Sequence, residues 1–142
     1  MYYPDLSPYA YSSKIAGALN IGWLDPAHPF PQGPTPDGFA AALAAFCAAE
    51  HRVNRTQRVH RCALCTPPAA IDDLGSAEIR VVGEGQVFAA PDLIGHYVAA
   101  HAYRPPEAFV RAVLTGPAPG SIAWWTALDQ ATAPQHDLTN NP

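Results

Sequence analysis

The stretch HRCALCTPP, residues 60–68, holds two of the chain's three cysteines, Cys62 and Cys65, with two residues between them. This spacing is typical of a knuckle, a tight turn whose two thiolates converge on one metal ion. A thioredoxin-like redox pair instead needs a strand before the first cysteine and a helix starting at it, because the helix dipole lowers the thiol pKa. Here Pro67 and Pro68 follow at once. The pattern therefore favours metal binding over redox chemistry and over simple packing of two thiols.

A tetrahedral site needs two more ligands, and the chain offers His96 and His101 downstream, at an H-x4-H spacing used by Cys2His2 zinc sites. Side chains five residues apart point about 140° away from each other on an ideal helix. Both histidines therefore reach one ion only if the last turn loosens near His101. His60, beside the knuckle, rivals His96 as the fourth ligand, and the sequence leaves that choice open. We predict a zinc site formed by Cys62, Cys65, His96 and His101.

Four protein ligands leave no coordination position for an activated water, which indicates a structural zinc. A catalytic centre prefers three protein ligands and a nearby carboxylate base. Glu78, Asp92 and Glu107 supply carboxylates, but none falls in an HExxH or zinc-deaminase pattern. We therefore predict no catalytic residues. A metal-dependent enzyme with an open site near His96 and His101 is one alternative.

An arginine repeat precedes the knuckle, with a basic residue at every third position: Arg52, Arg55, Arg58 and Arg61. Guanidinium groups beside a zinc knuckle can bind phosphates, so a nucleic-acid-binding zinc module is the other alternative. The net charge of −4 and the lack of aromatic residues within the repeat favour a solvated loop that balances an acidic surface. We expect a protein partner rather than a nucleic acid.

Length and composition set the class of protein. The chain of 142 residues is long enough for one domain with a hydrophobic core, and 49% of its residues are hydrophobic. Neither a secretory leader nor an apolar run of the ~20 residues that span a bilayer is visible, so we expect no membrane association. An odd cysteine count without an export signal indicates the reducing cytoplasm. The sequence thus predicts a zinc-stabilised cytoplasmic module for interaction or regulation, without enzymatic activity.

Hydrophobic periodicity and turn residues predict a small single α+β domain over residues 1–115. The segment ALNIGWL, residues 18–24, alternates apolar and small or polar residues like a strand. A helix is expected from Pro36 to about His51, because Thr35 can cap it and proline suits its first position. Its apolar stripe includes Cys47, which we expect to be a buried and unreactive thiol.

A β-hairpin is predicted after the knuckle, with Ile79–Val82 and Val87–Phe88 on either side of the turn GEG. A helix that carries both histidines should begin near Pro91 and Asp92, where proline and an acidic residue are favoured. A further helix should follow Pro105–Pro106. Its expected apolar stripe is Phe109, Val110, Val113 and Leu114.

Residues 116–142 predict a flexible or peripherally docked tail, because charges are few and small, polar and proline residues are many. Within it, Ile122, Trp125 and Leu128 lie three apart after Ser121, which predicts a short capped helix. The paired tryptophans, Trp124 and Trp125, favour docking of that helix on the domain, since large aromatic side chains are seldom left in water.

Five motifs resemble those of a set of small bacterial proteins, common in actinobacteria, that are described only as a domain of unknown function. They are YYPDLSPYAY (2–11), NIGWLDPAHPF (20–30), HRCALC (60–65), EIRV (78–81) and AAPDLIGHYVAAHAYRPPEAFVRAVL (89–114). The resemblance covers residues 1 to about 115 and leaves the tail out. It implies that the knuckle and the helix carrying both histidines belong to one domain. The family has no established activity, so the resemblance assigns no catalytic residues to this chain.

Overall fold

The computed structural model describes residues 2–10 and 17–132, which form a small α+β domain as predicted. In chain order its elements are β1 (Leu19–Asn20), α1 (Phe39–Phe46), a 3-10 segment (Ala49–His51), β2 (Glu78–Gly83), β3 (Gln86–Pro91), α2 (Ile94–His101), α3 (Glu107–Thr115) and α4 (Ile122–Thr132). None of the helices in this described part of the chain has the length and hydropathy needed to cross a bilayer.

The sheet has three strands in the order β1-β3-β2, with β3 in the centre. The predicted hairpin is confirmed: β2 and β3 pair antiparallel, with Val81 opposite Phe88. The turn residues Glu84 and Gly85 have φ angles of 41° and 78°, a backbone that matches the twist of a two-residue hairpin. β1 pairs parallel to β3 over only two residues, because Gly22 at φ 76° soon turns the chain away from the sheet.

α1 begins at Phe39, three residues after the predicted start at Pro36. Gly38 precedes it in the left-handed conformation, with φ 83°, so Pro36 belongs to a preceding turn rather than to the first helical turn. Thr35 is therefore not its cap, and the helix ends at Phe46. Cys47, directly after the helix, is buried as expected, and burial raises the pKa of its thiol to about 11.

The core lies between the sheet and α1 and α3, where the ring of Phe109 packs edge-on against both Phe39 and Phe88. Close approach of α3 to β2 depends on Gly83, since a Cβ atom there would lie 2.6 Å from the Cβ of Ala112. The predicted apolar stripe of α3 is wrong at one position, Leu114. Leu114 is exposed, and Ala112 takes the inward position because the neighbouring strand leaves room only for a small side chain.

α4 lies against β2 and buries two side chains four residues apart, Trp124 and Leu128. The indole N–H of Trp124 donates a hydrogen bond to the backbone carbonyl of Arg80 at 3.1 Å. Ser121 caps the helix as predicted, accepting the backbone N–H of Trp124. Of the three apolar residues spaced three apart, Leu128 is buried, whereas Ile122 and Trp125 face solvent. Residues 133–142, the end of the predicted tail, lie outside the described residues.

Truncation of the two adjacent tryptophans is expected to have unequal effects. Trp124 is 1% exposed, so Trp124→Ala should lower the free energy of unfolding by about 3–5 kcal/mol through lost packing and a lost hydrogen bond. Trp125 is 54% exposed, so Trp125→Ala should change the free energy of unfolding by only about 0.5 kcal/mol. Urea unfolding of the two variants measures the difference, and equal losses would contradict the observed face of α4.

Candidate metal centre

The Cys62–Cys65 knuckle is held as a closed loop by backbone hydrogen bonds. Cys62 and Ala69 pair in both directions, with N···O distances of 2.7 and 3.2 Å. Just upstream, the backbone N–H of His60 donates to the carbonyl of Gly75 at 2.8 Å. Gly75 has φ 105°, and a Cβ atom there would lie only 2.2 Å from the carbonyl oxygen of His60. This close approach requires glycine and positions the knuckle against the domain.

The histidines come from α2, which buries Ile94, Tyr97 and Val98 in the core and turns the imidazoles toward the knuckle. The helix begins at Ile94 rather than near Pro91 and Asp92. Pro91 is the last residue of β3, and the backbone N–H of Asp92 still bonds to Ala77. The carboxylate of Asp92 accepts a hydrogen bond from the backbone N–H of Gly75 instead of capping the helix.

The last turn of α2 loosens, as the H-x4-H spacing requires. Ala102 adopts a left-handed conformation with φ 54°, and its N–H and that of Tyr103 both bond to the carbonyl of Tyr97. These bonds reach five and six residues back, whereas a regular α-helix reaches four. The wider turn swings His101 around the axis, so its ring centroid lies 5.1 Å from that of His96.

The proline-rich loop after β1 anchors this loosened turn. The side-chain amide of Gln32 donates to the carbonyl of His101 at 2.9 Å, and Gly33 donates its N–H to Ala102. Sequence reasoning missed Gln32, because a lone glutamine between prolines carries no signal of a contact that is distant in sequence. Its role is to fix the backbone that presents one imidazole.

The four predicted residues converge, with one candidate ligand atom from each lying within 4.8 Å of all the others. The Sγ atom of Cys62 lies 3.4 Å from Nε2 of His101, and the Sγ atom of Cys65 lies 3.4 Å from Nε2 of His96 and 3.5 Å from Nε2 of His101. Zinc bonds of about 2.3 Å to sulfur and 2.0–2.1 Å to nitrogen, at tetrahedral angles, place S and N about 3.5 Å apart. The observed separations fit such a tetrahedron, so this Cys2His2 group could hold a metal ion.

The two thiols of this cluster lie close to each other, and so do the two imidazole rings. Burial, followed by the neighbouring thiol of Cys62, raises the pKa of Cys65. Burial, followed by the ring of His101, lowers the pKa of His96. Both shifts disfavour the charged side chain when no ion of opposite sign is present. A divalent cation would reverse the balance for the thiols, because it stabilises thiolates and accepts the lone pairs of neutral imidazoles.

The structure brings His96, and not His60, to the cluster. His60 is exposed, and it contributes to the wall of a neighbouring cavity instead. The sequence could not decide between these histidines, because the choice depends on how the loop after the knuckle returns to the sheet.

The arginine repeat does not form one solvated row. Arg55, Arg58 and Arg61 are exposed, but the side chain of Arg52 is 1% exposed. Its guanidinium lies 2.9 Å from the carboxylate of Asp73 and 3.3 Å from that of Asp92. The Arg52 guanidinium holds the pKa of Asp73 below its ordinary value. Arg52 is therefore not a solvated residue like the other three, because it pairs with two acidic groups that are distant in the sequence.

The three carboxylates considered as catalytic bases all have other partners. Glu78 accepts hydrogen bonds from Tyr9 and Arg80, and Asp92 is paired with Arg52. The third, Glu107, is exposed and lies 3.3 Å from the guanidinium of Arg104.

A family model matches residues 1–114, which is most of the chain. The chain belongs to the family described as Domain of unknown function (DUF7919). All members of the Cys2His2 group lie inside the matched segment of this DUF7919 domain, whereas α4 lies beyond it. No curated protein and no solved structure gives a significant match to the chain.

Proposed function

We propose that this DUF7919 domain binds one zinc ion through Cys62, Cys65, His96 and His101. The observation that carries the proposal is the convergence of two thiols and two imidazoles at tetrahedral separations. Thiolate and imidazole ligands suit zinc, whereas calcium and magnesium prefer oxygen ligands. Four protein ligands would fill a tetrahedral coordination sphere and leave no position for a reactive water.

The proposed role of the ion is structural. Residues 52–77 separate the 3-10 segment from β2 and form no helix or strand; their described β-bridges are Val53–Glu78 and Cys62–Ala69. The other backbone hydrogen bonds of this segment, such as His60 to Gly75, are isolated ones, so the entropy of ordering it must also be offset by other contacts. An ion bonded to both the knuckle and α2 would join this segment to the core.

We further propose that the domain acts in the cytoplasm as a non-enzymatic interaction or regulatory module with a protein partner. A reducing compartment keeps both thiols available to the metal. Four protein ligands would leave no position for a reactive water, which favours a scaffold role for the metal over the alternative of a metal-dependent enzyme. The nucleic-acid alternative is weaker, because Arg52 is buried in ion pairs and only the other arginines of the repeat are exposed.

Metal removal tests the structural role. Protein purified without added metal is expected to contain one zinc per chain by elemental analysis. A high-affinity chelator should then lower the melting temperature, since free zinc at 100 times the dissociation constant adds about 2.7 kcal/mol to stability. Readdition of zinc, but not of magnesium, should restore the transition. A metal-free preparation that melts at the same temperature as zinc-treated protein would contradict the proposal.

A further inference from the structure

A cavity of about 170 Å³ opens beside the Cys2His2 group, between the N-terminal segment, the arginine loop and α2. For scale, a cavity of about 150 Å³ admits one benzene molecule. Ala63, inside the knuckle, and Tyr97, between the two histidines, form the wall next to the group. The cluster residues themselves do not line it, so the cavity can be considered separately from the zinc proposal.

Aromatic rings form much of the wall, with Tyr3, Trp23 and Tyr97 all contributing. Tyr3 and Trp23 meet edge to face, with ring centroids 5.6 Å apart and an interplanar angle of 84°. The indole N–H of Trp23 donates to the carbonyl of Ala89 at 3.1 Å, which fixes the orientation of its ring. The rings are therefore held in place around the space that they enclose.

Acidic residues also line the cavity, and two of them are paired with arginines. Asp25, Glu78 and Asp92 are lining residues, and the last two are buried. Glu78 and Asp92 are paired with Arg80 and Arg52, neither of which is among the described lining residues. Acidic residues therefore outnumber arginines among the lining residues that the structure describes. Arg61, which is exposed, is the one arginine among them.

The hydroxyl of Tyr97 is a polar group that a ligand could reach. The residue is 7% exposed, and its hydroxyl is not one of the fully buried polar atoms that lack a partner in the described part of the chain, so it keeps access to open space. Tyr97 lines the cavity, so a molecule inside it is the natural partner of this hydroxyl.

We propose that the cavity binds a small organic ammonium ion that also carries a hydrogen-bonding group. Aromatic faces attract such cations through their quadrupoles, and the attraction grows when the cation is removed from water. The acidic residues of the wall add to it, and the Tyr97 hydroxyl binds the polar group of the ligand. A neutral molecule of the same shape would gain the apolar contacts alone.

Choline and its uncharged isostere 3,3-dimethylbutan-1-ol test the proposal by isothermal titration of the zinc-assayed full chain. Choline should bind at least about tenfold more tightly than the isostere. Asp25→Asn and Tyr97→Phe should each weaken choline binding several-fold, whereas Asp37→Asn, at an exposed position away from the cavity, should not.

Equal affinity for both molecules, or no measurable binding of either, would overturn the ammonium proposal. Zinc is assayed on the same sample, so failure to bind choline by a zinc-loaded chain would leave the zinc proposal standing. The circular dichroism spectrum of each variant separates loss of a ligand contact from loss of the fold.

Discussion

Replacing Cys62 with serine is expected to abolish stoichiometric zinc binding and to lower the free energy of unfolding by at least about 3 kcal/mol. The thiol is fully buried, and its sulfur lies 3.4 Å from Nε2 of His101. A serine hydroxyl does not ionise at neutral pH and is a poor zinc ligand, so the knuckle would lose its link to α2. Elemental analysis measures the first effect and urea unfolding the second.

Cys47→Ser is the matched control for this experiment. Cys47 is also buried, but it follows α1 and is not a member of the metal-binding cluster. The variant should keep one zinc per chain while losing about 1–3 kcal/mol, because it buries a hydroxyl in place of a thiol. If Cys62→Ser retained zinc, or if both variants lost it, the assignment of Cys62 as a ligand would be wrong.

Arg52→Ala is the second substitution expected to have a large effect, lowering the free energy of unfolding by about 3–5 kcal/mol. It would leave the carboxylate of Asp92, which is fully buried, without its cationic partner. The same carboxylate holds the backbone N–H of Gly75 at 2.8 Å, and the carbonyl of Gly75 binds His60 just before the knuckle. Loss of Arg52 should therefore also weaken zinc binding.

Arg58→Ala serves as the control, since Arg58 is an exposed member of the same repeat. Its effect on unfolding should stay within about 0.5 kcal/mol. Urea unfolding and zinc content of the two variants provide the comparison. Equal, small effects would show that the Arg52–Asp92 pair contributes nothing to stability, contrary to the expected result.

The candidate site could be predicted because its signals are local. A Cys-x2-Cys turn constrains two thiols within a few residues, and the prolines after His101 mark where α2 must end. The need for a loosened last turn followed from helix geometry alone. Choosing His96 over His60 required the path of the loop between the knuckle and β2, which is set by contacts such as that between His60 and Gly75.

The features that sequence reasoning missed depend on contacts between distant residues. Arg52 looks like its neighbours in the repeat, and only the return of Asp92, which lies 40 residues later, makes it a buried ion pair. Trp124 and Trp125 are identical residues at adjacent positions, so the sequence does not distinguish the buried one from the exposed one. Which of them turns inward depends on how α4 packs against β2, where the indole of Trp124 reaches the backbone carbonyl of Arg80.

X-ray absorption at the zinc edge, on protein purified without added metal, reports the number and the type of the zinc ligands. We expect four ligands, two sulfurs at about 2.3 Å and two nitrogens at about 2.0–2.1 Å. A protein that contains no zinc, or a zinc spectrum without sulfur scattering, would contradict this expectation.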